Sequence, residues 1–422
     1  MVRRKFANKT LPGIFSMLAL GLFMSVAMPM PEQVRAAQQK IDPIETMIIE
    51  GKFTAATRQI DTGLASGRDI PRWCRLKALL LAYGGSAEAL PFAMRALSSK
   101  PHARETLETA ALVHSALGRD SDAVTLAKRL IETDKQNQIA FAVLAHHYAE
   151  KRDITRALSY QSKVLDEKNP SFHALYKVAL DLEKTSQLEK AVNALNKLVD
   201  TYPRSSTAWT LRGQFYRRLD SRERAMKDFR EAYRLSPENI GAAVMIAKVL
   251  SNEKRFEEAL PYYDKFIESG APVASAFSKR GDCHRHLGHL DKAIEDYDRA
   301  LDILTPKGSE SIRGKSIARL APNYTRLFKT IWIVRAQAYY EKGDSAKALT
   351  ELGEFIETFP KDSSARYIRY QMLRKDRSYA KALMDIGYLV DQYPDIKKWR
   401  KEQAELCKII EKEKRSRSVP RR

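Results

Sequence analysis

The chain is 422 residues long, 44% hydrophobic and 30% charged, with 73 Lys and Arg against 52 Asp and Glu for a net charge of +21. That composition excludes a disordered chain and a polytopic membrane protein, and 18 glycines, against the roughly 30 expected from average usage, argue against a turn-rich all-β fold. Cys74, Cys283 and Cys407 are too few and too scattered to staple a chain of this size, and the surplus of positive charge favours acidic partners or anionic surfaces.

In chain order, Arg3, Arg4, Lys5 and Lys9 precede an apolar run from Ile14 to Met28, and the small residues Val34 and Ala36 follow it. This pattern predicts a secretory signal spanning 1–36 and cut after Ala36. The run is 15 residues long, short of the roughly 20 that a spanning helix needs. The alternative is an uncleaved anchor over Leu11 to Met30, which would hold the protein on a membrane. Residues 1–36 carry +4 of the charge, so the remainder keeps +17. The expected location is periplasmic or secreted, where nucleic acid is not an expected partner.

Beyond the leader, alanine recurs at Ala55, Ala89, Ala123, Ala157, Ala191, Ala225, Ala259 and Ala293, always 34 residues apart. Ala348 and Ala382 resume the interval after a gap of 55, one period plus 21. The period predicts an atypical first unit in 37–69, seven tandem units in 70–307, an insertion in 308–328 and two further units in 329–396. Asp42-Pro43 predicts a short opening helix from Pro43 to Glu50. In the second unit Lys77 stands at the small-residue position and Gly84-Gly85 loosens the turn. Breakers such as Leu117-Gly118-Arg119-Asp120 and Lys342-Gly343-Asp344 divide each unit into two helices, and prolines such as Pro170, Pro203, Pro237 and Pro360 close the second. In the tenth unit the bulky Tyr370 takes the small position, which predicts a wider helix pair. A capping helix is expected over 397–414, with Trp399, Leu406 and Ile410 covering the core, then a basic tail over 415–422.

The clearest unit, Ser206 to Asn239, carries Trp209, Gly213, Tyr216, Ala225, Phe229, Ala232 and Pro237, and resembles a tetratricopeptide repeat (TPR). The resemblance implies an all-α, right-handed superhelical solenoid of antiparallel helix pairs, with Gly213 and Ala225 at the closest approach within the unit. It also implies a concave groove that binds peptides or partner helices. Carrying the groove-facing flank of the first helix from unit to unit gives Tyr176, Leu180, Thr210, Gln214, Arg217, Val244, Lys248, Ser278, Asp282 and Arg285. The Lys-plus-Asn pattern of chaperone-tail-binding members is not apparent.

No residues recommend a catalytic site. Gly314-Lys315-Ser316 invites a phosphate-loop reading, but five residues rather than four separate it from Gly308 and no strand precedes it. Cys283-His284-Arg285-His286-Leu287-Gly288-His289 suggests a metal site, yet the repeat frame assigns His284 to a core position. His146 and His147 are adjacent on one helix, about 100° apart, and are not a preformed chelate. There is no nucleophile elbow and no His-Glu-x-x-His motif. The expectation is a non-catalytic scaffold in the cell envelope, without metal or cofactor, binding protein or peptide partners, including acidic ones. The alternative is an accessory subunit contacting an anionic polysaccharide during export or modification.

Overall fold

The computed structural model describes residues 41–185, 187–270, 273–305 and 322–418; the leader, Gly314-Lys315-Ser316 and the end of the tail lie outside the described residues. Asp42–Arg422 form one compact unit, and every regular element among the described residues is an α-helix. The helices pair as the period predicts. Repeat 1 is α1 (Pro43–Glu50) with α2 (Phe53–Ala65), repeat 2 is α3 (Ile70–Tyr83) with α4 (Ala89–Ser99), and repeat 3 is α5 (Arg104–Ala116) with α6 (Asp120–Thr133). Repeat 4 is α7 (Gln138–Glu150) with α8 (Ile154–Leu165), repeat 5 is α9 (Phe172–Lys184) with α10 (Leu188–Thr201), and repeat 6 is α11 (Ser206–Arg218) with α12 (Arg222–Leu235). Then come α13 (Ile240–Asn252) with α14 (Phe256–Glu268), α15 (Ala274–His286) with α16 (Leu290–Leu304), α17 (Pro322–Lys342) with α18 (Ser345–Thr358), α19 (Ser363–Lys375) with α20 (Tyr379–Gln392), and the capping α21 (Lys397–Ser418).

Several boundaries have a local cause. Asp42, Asn137, Ser205, Asn239 and Asp344 accept hydrogen bonds from backbone N–H groups of the first turns they precede. Left-handed residues then recur at the turn between helices of one repeat: Gly118, Arg152, Asp220, Lys254, Gly288, Gly343 and Arg377 all have positive φ. Four of these seven are not glycine, so the turn is imposed by packing on either side rather than by backbone freedom.

The alanine ladder is the core. Ala89, Ala191, Ala225, Ala259, Ala293, Ala348 and Ala382 are fully buried. At Gly213 a Cβ would lie 2.6 Å from the Phe229 ring, and at Gly281 it would lie 2.9 Å from Tyr297, which places the closest approach of each helix pair at these glycines. Two repeats depart from the predicted frame by one residue. Ala56, not Ala55, is buried in repeat 1, because the eight-residue α1 ends at left-handed Gly51 and α2 starts at Phe53. In repeat 2, Ala78 packs with Ala89 while Lys77 turns outward to pair with Asp61 at 2.7 Å. In repeat 10, Tyr370 is buried against Ala382 and Ile386. Residues 322–328, assigned above to the insertion, instead lengthen α17, whose Phe328 is buried with Trp332 and Tyr297. The cap likewise runs past 414, to Ser418.

A polar ladder accompanies the alanines. Arg212 forks onto Asp228 at 2.8 and 2.9 Å, Arg280 onto Asp296, Arg335 onto Glu351 and Arg369 onto Asp385, each acid lying 16 residues after its arginine. Three of these arginines also reach back to the preceding repeat, at Asn196, Asp264 and Asp298. Each such guanidinium therefore ties together three helices and sets the register of one repeat on the last.

Candidate partner-binding groove

The groove was expected along the first helix of each repeat, and the structure divides the residues expected there by burial and partner. Arg217 and Lys248 are exposed, with Gln214 and Val244 half-buried beside them. Thr210 and Ser278 are buried, against the expectation of a groove-lining role: Thr210 Oγ1 donates to the Ser206 carbonyl and accepts from Asn239 Nδ2 at the junction of repeats 6 and 7. Arg285 is occupied as well, bonded to Gln337 Oε1 at 3.2 Å and paired with Glu341 at 3.3 Å across the next junction. Tyr176 packs edge-on against Tyr83 at 5.2 Å.

What remains open is electropositive. Arg217, Lys248 and Lys279 come from consecutive repeats. Burial, together with the charges of Arg217 and Lys279, pushes the Lys248 ammonium below its ordinary range. Lys279 has a partner in Asp282 at 2.9 Å. Arg217 and Lys248 have no hydrogen-bond or ion-pair partner among the described residues. Arg217 and Lys248, like charges near one another and without a carboxylate of their own among the described residues, form a surface where an anionic group gains Coulomb energy on arrival.

At its amino-terminal end the inner side is closed. Repeat 1 meets repeats 5 and 6 along a seam that the sequence did not announce. Glu45 bridges Arg75 Nη1 at 2.6 Å and His173 Nε2 at 2.8 Å, and the other nitrogen of His173 bonds Tyr83 Oη. Ser205 Oγ donates to the Ile49 carbonyl at 2.6 Å and Ser236 Oγ to the Gly51 carbonyl at 3.1 Å. Burial pushes the Glu45 carboxyl up, but the hydrogen bond and charge of His173 and the charge of Arg75 outweigh it and hold the group at about 2.

The histidines behave structurally. His146 bonds Asp181 at 2.8 Å and His147 bonds Asp120 at 3.3 Å, so the adjacent pair faces different repeats. His284 is half-buried near His289, and His286 stacks on Phe256 at 4.5 Å. No group of three metal-ligating side chains occurs among the described residues, and no helix among them is long and apolar enough to cross a membrane.

The family profile described as tetratricopeptide repeat matches residues 176–240, 244–309 and 333–395. The chain is 26% identical over 162 residues to TPR repeat-containing protein MJ1428 of Methanocaldococcus jannaschii, covering 36% of this chain and 28% of that one. It is 23% identical over 327 residues to Superkiller protein 3 of Schizosaccharomyces pombe, covering 73% of this chain and 22% of that one. The chain thus spans 28% or less of the length of these two curated relatives. Among solved structures, the APC/C hetero-tetramer Cut9-Hcn1 aligns at 15% identity with a TM-score of 0.48, over 75% of this chain and 59% of that one.

Proposed function

The chain belongs to the tetratricopeptide-repeat family, and from that premise we propose that it is a non-catalytic scaffold holding acidic protein segments along the inner flank of repeats 6 to 8. Proteins built from this repeat act generally as protein-interaction scaffolds. The observation that carries the acidic preference is the cluster of Arg217, Lys248 and Lys279, in which two cations lack any carboxylate among the described residues. A peptide carboxylate lying between them would form charge-assisted hydrogen bonds, and Val244 and Gln214 would supply contact area beside it.

The test is the paired reversal Arg217→Glu/Lys248→Glu, titrated with fluorescent acidic peptides at two salt concentrations. The expected result is at least a tenfold weaker Kd and a flatter salt dependence, with the helical circular dichroism intact. Unchanged affinity in the folded variant would remove the groove reading. An anionic polysaccharide offered to the same surface is the second reading, favoured by the same unpaired cations; displacement of the peptide by polymer, with the polymer bound more tightly, would make it the first.

The envelope setting rests on the amino-terminal pattern alone, a basic stretch, a 15-residue apolar run and small residues before Ala37. Purified from the native host, the mature protein is expected to begin at Ala37 by intact mass and amino-terminal sequencing. Recovery of a membrane-bound chain that retains Met1 to Ala36 would replace that setting with an anchored one.

A further inference from the structure

An outer face that has only to stay soluble intersperses both signs of charge. The capping helix does not. Its Trp399, Leu406 and Ile410 pack on repeat 10, and the opposite face of α21 carries Lys397, Arg400, Lys401, Lys408 and Lys412, all exposed. At about 100° per residue these five fall within an arc of about 120°, and at about 1.5 Å per residue they extend along about 22 Å of helix. Acids of the same helix are engaged elsewhere: Glu402 accepts from Tyr367 Oη at 3.0 Å, and Glu405 pairs with Arg374 at 3.5 Å. Glu411 is the one carboxylate within the arc, and Asp395 stands just before the helix. None of the five cations has a side-chain hydrogen bond or ion pair among the described residues. Lys397 with Lys401, and Lys408 with Lys412, stand four residues apart, a spacing at which like charges destabilise a helix.

We propose that this stripe docks the carboxyl-terminal end of the array on an anionic phospholipid surface, with α21 lying along the plane of the headgroups. Three observations choose that occupant. The stripe is the exposed ridge of one helix rather than a cleft, so a plane of headgroups meets it along its whole length. Four of the five cations are lysines, compact point charges suited to a diffuse field of phosphates rather than to forking onto one carboxylate. At the amino-terminal end of the stripe, Tyr393 and Ile396 are 39% and 37% exposed, and Tyr393 meets Trp399 edge-on at 5.7 Å. Apolar and aromatic side chains beside a basic helical face are the combination that settles at a headgroup boundary. The arc itself holds no aromatic ring on which a nucleic-acid base could stack. This surface is separate from the groove of repeats 6 to 8 and does not rest on that reading.

The test is co-sedimentation with vesicles of phosphatidylcholine alone or mixed with phosphatidylglycerol. The chain is purified from Ala37, which keeps the whole compact unit and leaves out the apolar run Ile14 to Met28, so that any lipid binding belongs to the folded protein. Binding is expected on the mixed vesicles, not on the neutral ones, and should fall as salt rises. Lys401→Gln/Lys408→Gln/Lys412→Gln, which keeps good helix formers on the exposed face, should weaken it at least tenfold, since each cation near an anionic surface raises partition roughly fivefold. Circular dichroism and thermal melting check that the cap survives. Lys128→Gln/Lys135→Gln/Lys151→Gln removes the same charge from exposed lysines of repeats 3 and 4 and should change binding less than about twofold. Equal loss in both triple variants would trace the binding to net charge and overturn the stripe, as would equal binding to neutral vesicles or none to either. Ending the chain at Arg415 should leave most of the binding; its loss there, with the stripe variant unaffected, would move the site to Arg417, Arg421 and Arg422. Single-stranded RNA or an acidic peptide, if bound more tightly than the mixed vesicles and released by the stripe variant, would replace lipid as the occupant. Arg217→Glu/Lys248→Glu should bind vesicles as the parent chain does while losing acidic peptides, which keeps the two surfaces apart.

Discussion

Asp228→Ala is expected to lower the unfolding free energy by about 3 kcal/mol, because it strips the carboxylate from a guanidinium that has little other recourse. Arg212 is only 14% exposed, lies 4.7 Å above the Trp209 ring and keeps one further bond, to Asn196. Those residual contacts set the value at the lower end of the roughly 3 to 5 kcal/mol found when one partner of a buried pair is removed. The double change Arg212→Leu/Asp228→Leu should recover most of the loss, since it removes both the charge and the need for its partner. Because repeat arrays need not unfold in one step, urea melts are best paired with hydrogen exchange resolved over Ser206–Leu235. A single change costing less than about 1 kcal/mol would mean that the pair is solvated and plays no part in setting register.

Acid should weaken the amino-terminal repeats before the others. The folded Glu45 carboxyl titrates at about 2 against an ordinary 4.5. A depressed carboxyl contributes stability above its unfolded pKa and loses it as pH falls toward the folded one. The contribution is therefore complete above about pH 4.5, reduced by about 2 kcal/mol at pH 3 and by about 3 kcal/mol at pH 2. Asp42, held low by Arg72 against the opposing effect of burial, adds in the same direction. The measurement compares the pH dependence of the urea midpoint in wild type and Glu45→Gln. The variant should be less stable at pH 6 and show a shallower decline between pH 4.5 and 3; parallel curves would place the acid sensitivity elsewhere.

The repeats were legible because they rest on residues that cannot be exchanged freely at a close helix approach. Ala225, Ala259 and Ala293 recur in phase for the same reason that they are buried. The one-residue shifts at Ala56 and Ala78 escaped because a period locates units, while local turn chemistry locates residues. The arginine ladder was readable in principle: Arg212 and Arg280 keep the 34-residue phase, as do Asp228 and Asp296, but a search for apolar positions passes over them. Among the ten groove residues expected, Thr210 and Ser278 are buried, and Tyr176 and Arg285 are engaged by neighbouring repeats, because a helical wheel gives direction and not what the next repeat puts in the way. The seam had no signal at all, since contacts between Glu45 and His173 depend on how curvature accumulates over four junctions.

That seam also fixes a number. An open stack tolerates gain or loss of a unit, because each repeat answers only to its neighbours. Once Glu45 must meet His173, and the Ile49 carbonyl must meet Ser205, the chain between them has to turn through one particular arc. Deleting or duplicating a unit between Ile70 and Thr201 would carry the two faces past each other, whereas the same change beyond repeat 6 would leave the seam as it is.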